Sequence, residues 1–216
     1  MEKKRIIVNV GRQFASGGKD IAVRIGELLD VKVYDRELIT ESAKESGVCS
    51  EFFERADEKT LWSKFFGFTS VRNGMAHYGN AEYANFLNQD ELFKIQSDVI
   101  RQIAARESAI FVGRCADYIL RDDERALNIF ISADREARIE RICTQLGLSE
   151  RKAVALMEQH DKERATYYNY YTFKKWGAAE SYDLCINSTR LGIESTADFL
   201  ASYVGDMMAR KTFNRK

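Results

Sequence analysis

The chain has 216 residues, of which 45% are hydrophobic and 31% are charged, and its 33 basic side chains balance its 33 acidic ones. This length and composition are typical of a globular protein with one sizeable core, or one core with a small insert. The balanced charge argues against nucleic acid or an anionic membrane as the main partner, so any basic site has to be local.

The first predicted strand is residues 6–10, and a glycine-rich turn (GRQFASGGK) joins it to a helix that extends to about residue 29. A second short strand covers residues 31–35 and ends at Asp35. Helices are expected over RELITESAKESG and CSEFFERADEK. Residues 60–88 mix aromatic residues with Gly, Asn and Ser without a clean period, so we expect an irregular or loosely helical insert there.

Periodicity returns in the second half of the chain. A helical stripe of apolar residues extends from Leu92 to Ala104, and the segment SAIFVG after it is typical of a buried strand. A turn and short helix, a strand (ALNIFISA), a charged helix (DREARIERICTQLG) and a long helix (SERKAVALMEQHDKERATYYNYYTF) follow. The last strand is residues 182–188, and an amphipathic helix closes the chain.

Apolar strands that alternate with helices predict an α/β fold with a parallel sheet of about five strands, covered on both faces. Ligands in such folds bind at the carboxyl ends of the strands. The sequence places its candidate site residues directly after strands, which is the main physical argument for a working site. These are the glycine turn, Asp35, Arg114, Asp134 with Arg135, and Asn187 with Ser188.

The glycine turn has the composition of a phosphate-binding loop. Gly17 and Gly18 permit positive φ angles and a close approach of the backbone to a ligand. The N–H groups at this helix start would point at an anion, and Lys19 would add a positive charge. The alternative is a tight turn between a strand and a helix, with no ligand.

The spacing of this turn differs from the standard motif, which is Gly, four residues, then Gly-Lys-Ser/Thr. Gln13 stands where the first glycine belongs, and Asp20 replaces the hydroxyl residue. Either one residue has been inserted, or Gly18 takes the place of the lysine and Lys19 is displaced. The Asp20 carboxylate can still reach Mg²⁺, directly or through water.

Two groups of arginines suggest phosphate binding elsewhere in the chain. Arg114 follows Gly113 at the end of a strand, where a guanidinium suits bidentate binding of a phosphate; the alternative is a structural pairing with Asp117 or Asp122. On the charged helices, arginines recur at positions 135, 138, 141, 151 and 164. These arginines fit either solvated faces with glutamate partners or a lid that closes on phosphates.

Two further features concern the location of the protein. No apolar run approaches the roughly 18 residues of a membrane span, and the charged start MEKKR leads directly into a strand, so we expect a cytoplasmic protein without a membrane partner. The four cysteines form no CxxC pair, which favours reduced, mostly buried thiols over a zinc site or a disulfide framework.

Six segments in order carry a resemblance that covers nearly the whole chain: GRQFASGGKDIA, VYDRELITESAKESG, FVGRCADYIL, NIFISADREARIERI, DKERATYYNYYT and YDLCINSTRLGIE. With these segments the chain resembles the cytidylate-kinase-like family of P-loop kinases. The resemblance implies a three-layer P-loop kinase with a core at residues 1–58, 91–134 and 182–216, an acceptor-binding insert at about 59–90 and a helical lid at about 135–181.

The resemblance also implies roles for individual residues. The loop would hold the phosphates of ATP, with Mg²⁺ on Asp20. Val112 and Cys115 stand where cytidylate kinases carry aspartates, and Asp117 would substitute in part. Donor binding is implied for Ser16, Gly17, Gly18, Lys19, Asp20, Arg135, Asn187 and Ser188; acceptor binding for Asp35, Arg36, Arg114, Asp117 and Asp161; and catalysis for Lys19, Arg114, Arg138 and Arg164.

Three functions are compatible with these residues. The first is a nucleoside monophosphate kinase that uses Mg²⁺ and ATP on CMP or dCMP. The second is a P-loop kinase for another small acceptor, which the altered residues around Arg114 favour. The third is a nucleotide-sensing protein without turnover, which the imperfect loop favours. The partners are small-molecule nucleotides in each case, and the closing helix could hide its apolar face in the core or in a homodimer.

Overall fold

The computed structural model describes residues 5–35, 37–39, 42 and 81–209. Its strands are β1 (Ile7–Arg12), β2 (Lys32–Tyr34), β3 (Ala109–Val112), β4 (Ala126–Ser132) and β5 (Leu184–Asn187). Its helices are α1 (Gly18–Leu29), α2 (Ala81–Arg106), α3 (Ala116–Ile119), α4 (Arg135–Leu146), α5 (Glu150–Thr172) and α6 (Gly192–Ala209), with a 3-10 turn at Ala179–Ser181.

The five strands form one sheet in the order β2-β3-β1-β4-β5, and every neighbouring pair is parallel. The register places Ile7 opposite Ala109 on one side and opposite Ala126 on the other. The predicted α/β fold with a parallel sheet of about five strands is therefore confirmed. All carboxyl ends lie at one edge, which brings the segments after β1, β3, β4 and β5 together.

Side-chain alternation explains the core of the sheet. Successive residues of a strand point to opposite faces, so Val8 and Val10 share one face, together with Ile129 and Ile131 of β4. The apolar stripes of α1 and α6 pack on that face, and Ile25 and Leu200 are among their fully buried members. The closing helix therefore buries much of its apolar face in the core, although Phe199 remains 48% exposed.

The described residues fall into two compact units, one formed by 5–34 with 106–209 and the other by the described part of 35–105. The first unit contains the whole sheet. None of the helices in the described ranges has the length and apolar composition that a bilayer crossing requires. The predicted insert and lid boundaries stay predictions, because most of residues 59–90 lies outside the described part.

Several predicted boundaries differ from the structure. The strand expected at residues 31–35 is limited to β2, and the one expected at 182–188 is limited to β5. Of the two alternatives given for the insert, irregular or loosely helical, residues 81–88 follow the helical one and belong to α2. This segment, AEYANFLN, contains neither glycine nor proline, so no residue interrupts the helix that the downstream stripe establishes.

Candidate phosphate-binding site at the carboxyl edge of the sheet

The glycine loop, residues 13–17, links β1 directly to α1. Gly17 has a φ of 76° and caps α1, Gly18 is the first residue of the helix, and Ala15 also has a positive φ of 56°. The first N–H groups of a helix have no partner within it, and the helix dipole makes them attractive to anions. The loop therefore presents N–H donors at the edge where ligands bind in parallel sheets.

Two buried serines donate hydrogen bonds to carbonyl groups of this loop. Ser188, at the end of β5, donates from Oγ to the carbonyl of Ser16 at 2.6 Å, and Ser16 donates from its own Oγ to the carbonyl of Gln13 at 2.9 Å. Both serines are 1% exposed. The two hydroxyl groups thus stabilise the loop backbone, and the Asn187 amide beside them donates to Asp134 Oδ1 at 2.7 Å.

An ion pair from the two charged helices holds both backbone polar groups of one loop residue. The N–H of Phe14 donates to Asp161 Oδ1 at 2.7 Å, and its carbonyl accepts from Arg138 Nε at 2.7 Å. Arg138 Nη2 also pairs with Asp161 Oδ2. We call this ring of contacts the Phe14 clasp. It connects α4 and α5 to the loop.

Two more arginines of these helices bind backbone carbonyls, one in the loop and one at the end of β1. Arg141 donates to the carbonyl of Ala15, and Arg164 donates from Nη1 to the carbonyl of Arg12 at 3.1 Å. The Arg164 guanidinium also lies 5.5 Å from the centre of the Phe14 ring, against which His160 stacks at 4.4 Å. The charged helices are therefore not simply solvated, since their arginines organise the loop.

Arg114 occupies a strained turn directly after β3. Gly113, Arg114 and Cys115 have φ angles of 78°, 59° and 55°, all in the left-handed region. Non-glycine residues in this region carry a conformational cost and are concentrated at functional sites. The Arg114 guanidinium lies 5.6 Å from the centre of the Tyr167 ring on α5.

The positive charge of Arg164 interacts with those of Arg114 and Arg138. Burial lowers the pKa of Arg164 below its ordinary value, and the positive charges of Arg138 and Arg114 lower it further. The carboxylates of Asp161 and Glu163 act in the opposite direction. Positive charges grouped in this way favour the binding of a polyanion between them.

The comparison with protein families decides the assignment. The model of the cytidylate kinase-like family matches residues 7–190, which include the sheet, the glycine loop and both charged helices. The chain belongs to the cytidylate kinase-like family. A comparison of this family member with curated proteins found no match.

Solved structures agree on the fold. A crystal structure of an uncharacterized protein from Eubacterium ventriosum has 26% identity and a TM-score of 0.70, covering 93% of this chain and 99% of that chain. A gluconokinase from Sinorhizobium meliloti has 10% identity and a TM-score of 0.52, covering 98% and 100%. Shikimate kinase from Acinetobacter baumannii, in complex with shikimate, has 10% identity and a TM-score of 0.51, covering 96% and 97%. The P-loop kinase fold is thereby confirmed.

In this cytidylate kinase-like protein, Asp117 lies in a buried polar network. Tyr168 donates from its hydroxyl to Asp117 Oδ2 at 2.7 Å. Burial raises the pKa of Asp117, and the hydrogen bond from Tyr168 opposes that rise. The pKa of Tyr168 is raised by burial and then by the Asp117 charge, and it also interacts with Tyr182. Asp117 is thus held by Tyr168, and Asp122 lies beside Arg121. Neither carboxylate forms the structural pair with Arg114 that was the alternative to phosphate binding.

The remaining predicted site residues are more exposed. Lys19 and Asp20 are exposed in the first turn of α1. Arg135 Nη2 lies 3.5 Å from Glu158 Oε1 at the surface. Asp35 Oδ1 accepts from the N–H of Leu38 at 3.1 Å, and Arg36 lies outside the described residues. Their roles in binding stay predictions.

A metal centre built from protein side chains alone is not found in the described part of the chain, where no three His, Cys, Asp or Glu side chains are grouped for a metal. Mg²⁺ needs only one or two carboxylates when substrate phosphates complete its shell. The exposed Asp20, beside the N–H groups of the α1 start, fits that requirement. Cys115, Cys143 and Cys185 are free thiols, and Cys49 lies outside the described residues.

Two residues near the loop escaped the sequence analysis as site residues. Arg141 is one of three arginines spaced three apart on α4. Its spacing alone does not show that it contacts the loop, whereas the structure places it against the carbonyl of Ala15. Arg12 precedes the loop at the end of β1. The sequence signal for a site role of Arg12 was a basic residue directly before a glycine-rich turn.

Proposed function

We propose that the protein transfers the γ-phosphoryl group of ATP to a nucleoside monophosphate of the CMP or dCMP type. The observation that carries this proposal is a glycine loop that presents helix N–H groups and is contacted by Arg138, with Arg164 bound at the end of β1 and Arg114 on the turn after the adjacent strand β3. Membership of the cytidylate kinase-like family supports the nucleotide acceptor.

The roles of the residues follow from their positions. The N–H groups at Gly18 and the following residues would bind the donor phosphates, and Arg114 would bind the acceptor phosphate in bidentate fashion. Mg²⁺ held by Asp20 would neutralise charge on the ATP phosphates. Phosphoryl transfer of this kind depends on alignment and charge stabilisation, and it needs no nucleophilic side chain from the protein.

A second candidate is a kinase for a small acceptor without a base. Val112 and Cys115 flank Gly113 and Arg114, and Cys115 is buried, so this turn offers no carboxylate to a nucleotide sugar. The similar solved structures include a shikimate kinase and a gluconokinase, whose names associate this fold with small non-nucleotide acceptors. A protein that binds ATP without turnover is the third candidate.

A coupled assay of ADP formation would distinguish these candidates. ATP and Mg²⁺ are supplied with CMP, dCMP, UMP, AMP, GMP, shikimate or gluconate in turn. We expect saturable turnover with CMP or dCMP, and a loss of at least about 100-fold in kcat/KM for Arg114→Ala. Arg121→Ala, which removes a surface arginine from the same region (47% side-chain exposure), is the matched control. Turnover with shikimate or gluconate alone would favour the second candidate, and ATP binding without any turnover would favour the third.

A further inference from the structure

The side chain of Arg12 fills the space beside two glycines of the site. A Cβ atom on Gly18 would lie 2.5 Å from Cβ and 3.0 Å from Cγ of Arg12. A Cβ atom on Gly113 would lie 2.0 Å from Nη1 and 3.2 Å from Cζ. The side chain therefore crosses the start of α1, and its guanidinium ends at the turn that carries Arg114.

The loop lacks a lysine at the position where the standard phosphate loop carries one. In the standard phosphate loop, a lysine at the passage from loop to helix reaches the β- and γ-phosphates. Here that passage is occupied by Gly17 and Gly18, since α1 begins at Gly18. Lys19 is one residue further, which turns its side chain by about 100° around the helix, and it is exposed.

The backbone around Arg12 is held from two sides. Its carbonyl accepts from Arg164 Nη1 at 3.1 Å. The turn after β3 is joined to β1 by a hydrogen bond from the N–H of Gly113 to the carbonyl of Val10 at 3.0 Å. The backbone at both ends of the path of the Arg12 side chain is thus held by hydrogen bonds.

We propose that Arg12 replaces the missing loop lysine, with its guanidinium on the β- and γ-phosphates of ATP. This inference rests on the proposed function. An oxygen of the acceptor phosphate forms the new bond to the γ-phosphorus, the bond from that phosphorus to the bridging oxygen breaks, and ADP leaves with the electron pair. Arg12 stays protonated throughout and stabilises the charge that moves between donor and acceptor.

The geometry explains why arginine rather than lysine serves here. The cation has to start from β1, pass Gly18 and arrive beside Gly113, where both glycines provide the room. A guanidinium is planar, always charged and able to bind two phosphate oxygens at once. Placed between the loop and Arg114, it lies between the expected donor and acceptor phosphates.

The first test compares Arg12→Ala, Arg12→Lys and Lys19→Ala. Turnover is measured with ATP and the best acceptor of the panel, and binding of β,γ-imido-ATP and of ADP is measured by calorimetry. We expect Arg12→Ala to lower kcat by about 100- to 1,000-fold, Arg12→Lys to retain part of it, and Lys19→Ala to lose less than about tenfold. Arg24→Ala, an exposed arginine on α1, is the control.

Binding separates contact with phosphate from a structural role. If Arg12 touches the γ-phosphate, Arg12→Ala weakens β,γ-imido-ATP more than ADP. An equal loss for the two nucleotides would assign Arg12 a structural role and overturn the proposal. A wild-type kcat in Arg12→Ala, or a larger loss in Lys19→Ala, would also overturn it.

The second test moves the cation to the standard position. Arg12→Gly removes the Cβ that blocks residue 18, and the double variant R12G/G18K places a lysine at the helix start. We expect the double variant to regain at least about tenfold in kcat over R12G alone; no gain in a folded double variant would contradict the replacement. If the melting curve of the double variant shows no folded protein, the kcat that Arg12→Lys retains over Arg12→Ala tests the replacement instead.

The outcome for the proposed function can be told apart from the outcome for Arg12. If the wild-type protein binds β,γ-imido-ATP but phosphorylates no acceptor, the proposed function is wrong. The role of Arg12 is then still tested by comparing how much Arg12→Ala weakens binding of β,γ-imido-ATP and of ADP. If the wild-type protein binds neither nucleotide, both proposals are wrong.

Discussion

The Phe14 clasp makes a quantitative prediction for Asp161→Asn. This substitution keeps the size of the side chain and removes its charge. It weakens the hydrogen bond from the Phe14 N–H (2.7 Å) and leaves Arg138, whose side chain is only 6% exposed, without its carboxylate. Loss of one partner from a fully buried ion pair costs about 3 to 5 kcal/mol.

Partial exposure reduces that cost. The Asp161 side chain is 21% exposed, so water can screen the pair and solvate Arg138 in part. We therefore expect the free energy of unfolding to fall by about 2 to 3 kcal/mol. For a chain of this length, that corresponds to a decrease of about 4 to 12 °C in Tm, measurable by calorimetry or circular dichroism.

A surface ion pair between the same two helices supplies the control. Arg135 and Glu158 have side-chain exposures of 52% and 65%, so Glu158→Gln should change the free energy of unfolding by no more than about 0.5 kcal/mol. A Tm for Asp161→Asn within about 1 °C of the wild-type value would refute the reasoning. So would a double-mutant cycle with Arg138→Gln that gave no coupling energy between the two residues.

Two further predictions concern buried polar groups of the site. Burial raises the folded-state pKa of Asp117, so its contribution favours folding most at acid pH and declines as pH rises through the ordinary aspartate range towards the folded pKa. Urea unfolding should therefore show that Asp117→Asn gains stability relative to wild type between pH 4 and pH 7; a constant difference would contradict this. Ser188→Ala removes the 2.6 Å hydrogen bond to the Ser16 carbonyl and should lower the free energy of unfolding by about 1 to 2 kcal/mol and weaken ATP binding in calorimetry. Ser149→Ala, at a helix start where the hydroxyl makes no capping hydrogen bond, is its control, and equal effects of the two variants would count against a role for Ser188 in the loop.

The fold was predictable because its signals are local. Residues 6–10 and 126–132 are short and largely apolar, which is typical of strands buried on both faces, and a regular helical period is present in the stripe from Leu92 to Ala104. The segment before residue 88 was predicted only as irregular or loosely helical, because its mixed composition hides the start of α2.

The site was predictable only as a set of candidates. Arg135, Arg138 and Arg141 are spaced three apart, so each successive guanidinium is rotated by about 60° around α4. Which of them reaches the loop depends on how the helix packs, and the structure turns Arg138 and Arg141 inward while Arg135 remains at the surface. The pairing of Phe14 with Asp161 joins residues 147 positions apart, a distance at which sequence periodicity has no information.

The partners of the glycine loop have a consequence for synthesis of the chain. Synthesis makes the loop well before its partners, because Arg138, Asp161 and Ser188, which bind its backbone, are 124, 147 and 172 positions from their contacts. Closure of such long segments is slow in folding. A nascent chain that ends before Arg138 contains every glycine of the loop and lacks all three of these groups. We therefore expect the loop to acquire its full set of backbone contacts only after Ser188 has been made.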